Sequence, residues 1–245
     1  MILLIDIGNT YTKISSDDRK HFYQFLSSSY NDFESLESAF PNIVGESIEG
    51  AIISSVVRNK ETIFKQYLDK KYNIDSLILT HDLKFHCEYP KKDKNELGGD
   101  LIAIMEGASK KHKTFIGVSL GTATVFVVVK NLKFIGCAIA PGVFTSLNGL
   151  INSASLIENT NLSGDFELLG MDTESSLKSG LWNGFSFLVD GYITKIKEEY
   201  DMFGAETFMV GGFSNTIINN LKNENISYDK DLIFSGLYEI YKLNR

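Results

Sequence analysis

The sequence predicts an α/β protein of two similar halves, and two observations carry that prediction. A strand, turn, strand, strand, helix order opens at the N-terminus and starts again near residue 114. At the same point in each half, a turn that places glycine beside threonine joins two apolar runs: LLIDIGNTYTKI in the first and GVSLGTATVFVV in the second. The halves are assigned to residues 1–113 and 114–245, the boundary falling inside or just after the helix read at 98–113.

Each element follows from its own pattern. The strand-like runs of the first half are 2–6, 10–14, 21–25, 50–56 and 75–80, rich in Ile, Leu, Val, Phe and Tyr. Residues 31–40 and 59–72 read as helices, the second with Ile63, Phe64, Tyr67 and Leu68 at helical spacing. In the second half 114–120, 122–129 and 132–140 read as three strands. Helices follow at 142–156 and 172–200, then a strand at 206–210 and helices at 213–223 and 234–243.

Composition narrows the functional classes. A hydrophobic content of 43% and a charged content of 22% over 245 residues are those of a soluble globular chain with a full core. A net charge of −7 argues against nucleic acid or an anionic membrane as partner, since both require a basic surface. Cys87 and Cys137 form no CxxC pair, and the four histidines form no HExxH, so buried thiols and surface imidazoles are expected. Asp6 interrupts the N-terminal apolar run, as a signal peptide would not, and residues 115–129 are too short to span a bilayer. The expectation is a cytoplasmic protein.

Asp6 raises the chemical question, because a carboxylate at the end of a buried strand is costly unless it has work to do. Glycine lets a backbone approach a ligand closely, and main-chain N–H groups with a threonine hydroxyl make phosphate donors. A single turn of this kind is satisfied by a tight hairpin. Two copies, one led by an acid, read as a two-jawed phosphate clamp. The chain carries no GxxxxGK[ST] and no GxGxxG opening a helix after a strand, which sets aside Walker-type and Rossmann sites.

DIGNT (6–10), SSVV (54–57), ELGGD (96–100), LGTAT (120–124), GCAIAPG (136–142), GMDT (170–173), SG (179–180) and VGG (210–212) occur in that order. In these motifs, over nearly its whole length, the chain resembles the type III pantothenate kinases, a branch of the acetate kinase, sugar kinase, heat-shock ATPase and actin superfamily. The resemblance implies two ribonuclease-H-like halves of the actin-like ATPase kind flanking a nucleotide cleft. It further implies a cytoplasmic homodimer that phosphorylates pantothenate with ATP, Mg²⁺ and a monovalent cation (K⁺ or NH₄⁺), the first step of coenzyme A synthesis. Carried onto these positions, Asp6 would organise the metal, and Gly8, Asn9 and Thr10 would contact phosphate. Gly121, Thr122 and Ala123 would form the second phosphate jaw, and Gly211 and Gly212 would let adenosine lie close. Asp100 would be the general base; Tyr89, Gly98, Gly99 and Thr173 would hold pantothenate.

Two positions depart from the family pattern. Leu101 stands where an arginine normally follows the aspartate, and Ser119 stands where an aspartate precedes the second glycine-threonine turn. A lost charged hydrogen bond is worth roughly 1.5–3 kcal/mol. Ser119 is thus a weakened metal position. The alternatives are a family member that has lost catalysis and serves in binding or regulation, or a related small-molecule kinase with another acceptor. Residues outside the motifs read as structure: Trp182 as core or dimer packing, the lysines of 91–94 as a solvated loop, Asp172 as a helix cap. Asp190 has no assigned role.

Overall fold

The computed structural model describes residues 1–40, 47–89, 97–153 and 166–245, so the lysines of 91–94 lie outside it. The described residues fall into two compact units. The first comprises 1–111, 132–134 and 231–245, and the second 112–131 and 135–230. Residues 231–245, assigned from the sequence to the second half, therefore lie in the first unit.

In the first unit, β1 (Ile2–Ile7) is the central strand of a five-stranded sheet. Its partners are β2 (Tyr11–Ser16), β3 (Phe22–Leu26), β4 (Gly50–Ser55) and β5 (Leu77–Ile78), in the order β3-β2-β1-β4-β5. β1 runs antiparallel to β2 and parallel to β4. Both faces of β1 are covered, which is why its sequence is a continuous apolar run. One face carries Leu3, Ile5, Ile7 and Ile53 against Phe64 and Leu68 of α2 (Lys60–Tyr72), with Leu36 of α1 (Phe33–Ala39). On β1 and β4 also pack α7 (Leu232–Asn244) and, on β4, α3 (Gly99–Ser109).

The second unit repeats the plan. β6 (Phe115–Leu120) is central, with β7 (Ala123–Lys130), β8 (Lys133–Pro141), β9 (Glu206–Val210) and β10 (Ile226–Tyr228) in the order β10-β9-β6-β7-β8. Its helices are α4 (Val143–Ser153), the 27-residue α5 (Thr173–Glu199) and α6 (Ser214–Ile218). The core joins Ile116, Val118, Phe126 and Met209 of the sheet to Leu147, Trp182, Phe185, Val189 and Ile193 of the helices. Trp182 is thus a core residue. β10 was not expected from the sequence, because three residues are too few to show a period, and α6 is shorter than the 213–223 expected.

Capping and polar staples set the ends of α5. The Asp172 carboxylate accepts from the Ser175 N–H at 2.7 Å, and Ser175 Oγ accepts from the Asp172 N–H at 3.1 Å. That reciprocal pair is a capping box, so Asp172 is the cap its position predicts. Asp190 also has a structural task. Its Oδ1 accepts from the N–H groups of Lys222 and Asn223 and from Asn223 Nδ2, at 2.8–3.0 Å, tying α5 to the segment after α6. Cys87 is buried as expected, but Cys137 is exposed, because the side chains of β8 alternate and residue 137 falls on its outer face. No helix among the described residues is long and apolar enough to cross a membrane.

Two glycines let α3 and α7 meet closely. A Cβ on Gly107 would lie 2.4 Å from the Leu232 carbonyl oxygen, and one on Gly236 would lie 1.8 Å from that of Ala103. Gly236→Ala gains helix propensity of about 1 kcal/mol, but the clash is with backbone, which cannot turn aside. We expect a net loss of about 1–3 kcal/mol by urea denaturation. Gly180→Ala, in α5 with nothing within 4 Å of the added carbon, should instead be neutral or stabilising.

Candidate active site

Asp6 lies in β1, and the strand register places Lys13 of β2 on one side of it and Ser54 of β4 on the other. The residue is 7% exposed. Burial, and then the neighbouring Asp100 carboxylate, push its pKa from 3.8 to about 7, against the opposing pull of Lys13. This setting disfavours a bare negative charge at Asp6.

Asp100 reaches the same neighbourhood from the first turn of α3. Burial raises its pKa, while backbone N–H groups of its own helix start, led by that of Leu101, hold it down. The two preceding glycines make room. A Cβ on Gly98 would lie 2.5 Å from Asp100 Oδ1, and one on Gly99 would lie 2.6 Å from Ser54 Oγ. Ser54 Oγ is buried with no hydrogen-bond partner. Sequence reasoning missed Lys13 and Ser54 as members of this group; only the pairing of strands brings them beside Asp6.

The turn after β1 is a closed hairpin, in which the Gly8 N–H donates to the Tyr11 carbonyl at 3.0 Å. Asn9 and Thr10 at its tip are exposed. Tyr89 lies elsewhere in the first unit with its hydroxyl turned inward, donating to Glu106 Oε1 at 2.9 Å. Glu106 is fully buried and also accepts from the N–H groups of His86 and Cys87 at 2.8 and 2.9 Å. Glu106 thereby fixes the segment that carries Tyr89. Its apolar neighbours on α3 gave no sign of that in the sequence.

In the second unit, three motifs meet at the end of β6. The Gly121 N–H donates to the Ala123 carbonyl at 3.0 Å, and the Thr122 carbonyl accepts from the Gly142 N–H at 3.1 Å and from Thr145 Oγ1 at 2.6 Å. Gly211 has φ +106°, and a Cβ there would lie 2.2 Å from the Leu120 carbonyl oxygen. Gly212 has open space where its side chain would be. The residues of LGTAT, IAPG and VGG are therefore brought together. Ser119 sits in register with Val125 and Val210, so the site of the second family carboxylate is a hydroxyl between valines. These side chains do not fit a cation. Thr173 is exposed at the start of α5, and with Gly170, Met171, Asp172, Ser176 and Leu177 it lines an open depression.

Among the described residues no three His, Cys, Asp or Glu side chains form a metal cage. The first unit instead offers Asp6 and Asp100, two hard carboxylates. That set fits Mg²⁺, which is held by one or two carboxylates and completes its shell with phosphate oxygens and water.

The pKa of Asp6 has a consequence for stability. The folded chain holds this proton up to about pH 7, whereas the unfolded chain releases it near 3.8. Because only the unfolded chain gives up this proton between those values, Asp6 costs stability as pH rises through that window. In chelator, Asp6→Asn should match wild type near pH 4 and exceed it at pH 8 by about 2–4 kcal/mol, at roughly 1.4 kcal/mol per pKa unit. Urea melts across that range would show the two stability curves diverging; parallel curves would refute the assignment.

The chain is similar to known proteins over nearly its whole length. The family model described as type III pantothenate kinase matches residues 2–195. A type III pantothenate kinase of Malacoplasma penetrans is 30% identical over 99% of this chain and 97% of its own length. One of Finegoldia magna is 31% identical over 100% and 98%. Among solved structures, a Campylobacter jejuni protein described as a Baf family transcriptional activator matches with a TM-score of 0.65 at 20% identity, covering 98% of this chain and 97% of its own. A ROK family glucokinase from Streptomyces griseus matches at 0.53 and 10% identity, covering 99% of each chain. These two show the fold, the ribonuclease-H-like pair of the sugar kinases. With its family model matched over most of its length, the chain belongs to the type III pantothenate kinases.

Proposed function

We propose that this chain transfers the γ-phosphoryl group of ATP to the hydroxyl of pantothenate with Asp100 as general base and Asp6 as the metal-organising carboxylate. Membership of the family makes the chain a pantothenate kinase, acting at the first step of coenzyme A synthesis. The observation that supports the residue roles is the approach of two carboxylates, buried Asp6 at the end of β1 and partly buried Asp100 at the start of α3.

Phosphoryl transfer passes through a loose transition state, so the protein's task is to position groups and stabilise charge. Burial raises the Asp100 pKa above its ordinary value, and a more basic carboxylate is a better acceptor for the proton of the attacking hydroxyl. Bound Mg²⁺ would neutralise charge on the phosphate oxygens. Asp6 would hold it, with Lys13 beside it. Each unit has its own candidate for phosphate contact, the exposed Asn9–Thr10 tip in the first and the Gly121–Ala123 turn in the second, and Gly212 has open space that adenosine would use. Thr173 and the Tyr89 ring are the proposed pantothenate contacts, the Tyr89 hydroxyl being committed to Glu106.

Asp100→Asn tests this reading. Asparagine keeps the shape and cannot take the proton, so pantothenate-dependent ADP release should fall by about 10²–10⁴-fold. ATP affinity and melting temperature should stay close to wild type. Wild type that releases no ADP on addition of pantothenate, while still binding ATP, would favour a regulatory role or a different acceptor.

We also propose a homodimer formed through the second unit. Phe144, Leu150 and Phe187 of α4 and α5 are exposed large apolar residues that water would otherwise face. Light scattering at micromolar concentration should give twice the 27.4 kDa chain mass; a clean monomer would refute this.

A further inference from the structure

The Gly8–Thr10 turn is braced from behind. Ser27 Oγ donates to the Gly8 carbonyl at 2.7 Å, and the Ser27 N–H donates to the Thr10 carbonyl at 2.9 Å. One residue thus holds two carbonyls of the turn, those of Gly8 and Thr10. Ser27 Oγ also lies 3.0 Å from Thr12 Oγ1, which lies 2.9 Å from the Tyr30 hydroxyl.

Behind Ser27 stands Lys60, the first residue of α2, 8% exposed. Its ammonium donates to the Ser27 and Tyr30 carbonyls and lies 4.0 Å from the centre of the Tyr30 ring. A third contact, to Asn31 Oδ1, is 3.5 Å. These acceptors are all neutral oxygens. A buried charge is costly without a counter-ion, and an apolar side chain would fill the space more cheaply. Its presence calls for a task that packing alone does not supply.

The geometry points to that task. No peptide bond of the described chain is cis. In a trans peptide the C=O and the following N–H point in opposite directions. Because the Gly8 carbonyl is held towards Ser27, the Asn9 N–H is aimed away from it, at the exposed tip of the turn. We propose that Ser27, held in turn by Lys60, is a positioning residue that presents the Asn9 N–H to a nucleotide phosphate. The inference rests on the kinase reading above and adds two residues outside its motifs. Preorganised donors cost no rearrangement when the anion arrives, which is where such bracing gains affinity.

Ser27→Ala removes one oxygen and leaves the main-chain bond to Thr10 in place. Lys60→Met keeps the stem and removes the charge. Each should raise the Kd and KM for ATP by about 3–10-fold, the worth of one positioning hydrogen bond. Adenosine affinity and the KM for pantothenate should not move. Calorimetry with ATP, ADP and adenosine, with melting curves alongside, gives the comparison. A packing role alone would lower the melting temperature and leave ATP affinity unchanged, and that result overturns the proposal. Equal losses for adenosine and ATP also overturn it. If Lys60→Met does not fold, Ser27→Ala decides. Wild type that binds no ATP overturns this proposal and the kinase reading together; wild type that binds ATP with Ser27→Ala unchanged overturns this proposal alone.

Discussion

The burial of one carboxylate, Asp6, at the end of the central strand of the first sheet organises what surrounds it. An ionised acid there loses hydration that the apolar neighbours cannot replace, so its proton is held to about pH 7. The fold answers with a lysine and a serine in register on the two flanking strands. It also brings a helix start close enough for Asp100 to act on Asp6, which requires residues 98 and 99 to lack side chains. A second acid near the first adds repulsion. That arrangement is unfavourable by itself and would become favourable with a divalent cation to supply the missing charge.

The second sheet repeats the topology and drops the charge. At the position that corresponds to Asp6, Ser119 stands between Val125 and Val210. The two glycine-threonine turns therefore differ in what they carry. The first carries the carboxylate and its lysine. The second is shaped by backbone packing, with Gly142 and Gly211 pressed against the carbonyls of residues 120–122. Such a turn can offer N–H groups to phosphate without any charged side chain.

Most of the architecture was legible because the two central strands are apolar on both faces and are followed by matching turns. Helix starts were legible where a cap carried them, as at Asp172. What escaped the sequence depends on contacts between distant residues. The glycine-mediated meeting of α3 and α7 puts residues 231–245 with the first unit, and no local pattern reports that pairing. Ser54, Lys13 and Ser27 are ordinary polar residues until strand register and a 3₁₀ turn bring them to the site. Glu106 is harder still, since a charged residue among apolar ones on α3 gives no hint that four donors await it.

Leu101 gives the departure from the family pattern a physical form. It is 7% exposed, on a first turn of α3 whose next residue, Ile102, is fully buried. An arginine in its place would need a path to water or an acid partner, and without one it would bury a charge at a cost of several kcal/mol. The leucine is therefore part of the packing of the helix that carries Asp100. Rigid packing of that helix helps Asp100 keep its place against the repulsion of Asp6. In the kinase reading proposed above, it would leave the acceptor without an arginine beside Asp100. Acceptor affinity would then rest on neutral groups, among which the first unit offers the Tyr89 ring, held by Glu106 through its hydroxyl. On the reading proposed above, the candidate base Asp100 is kept while the arginine beside it is replaced by packing.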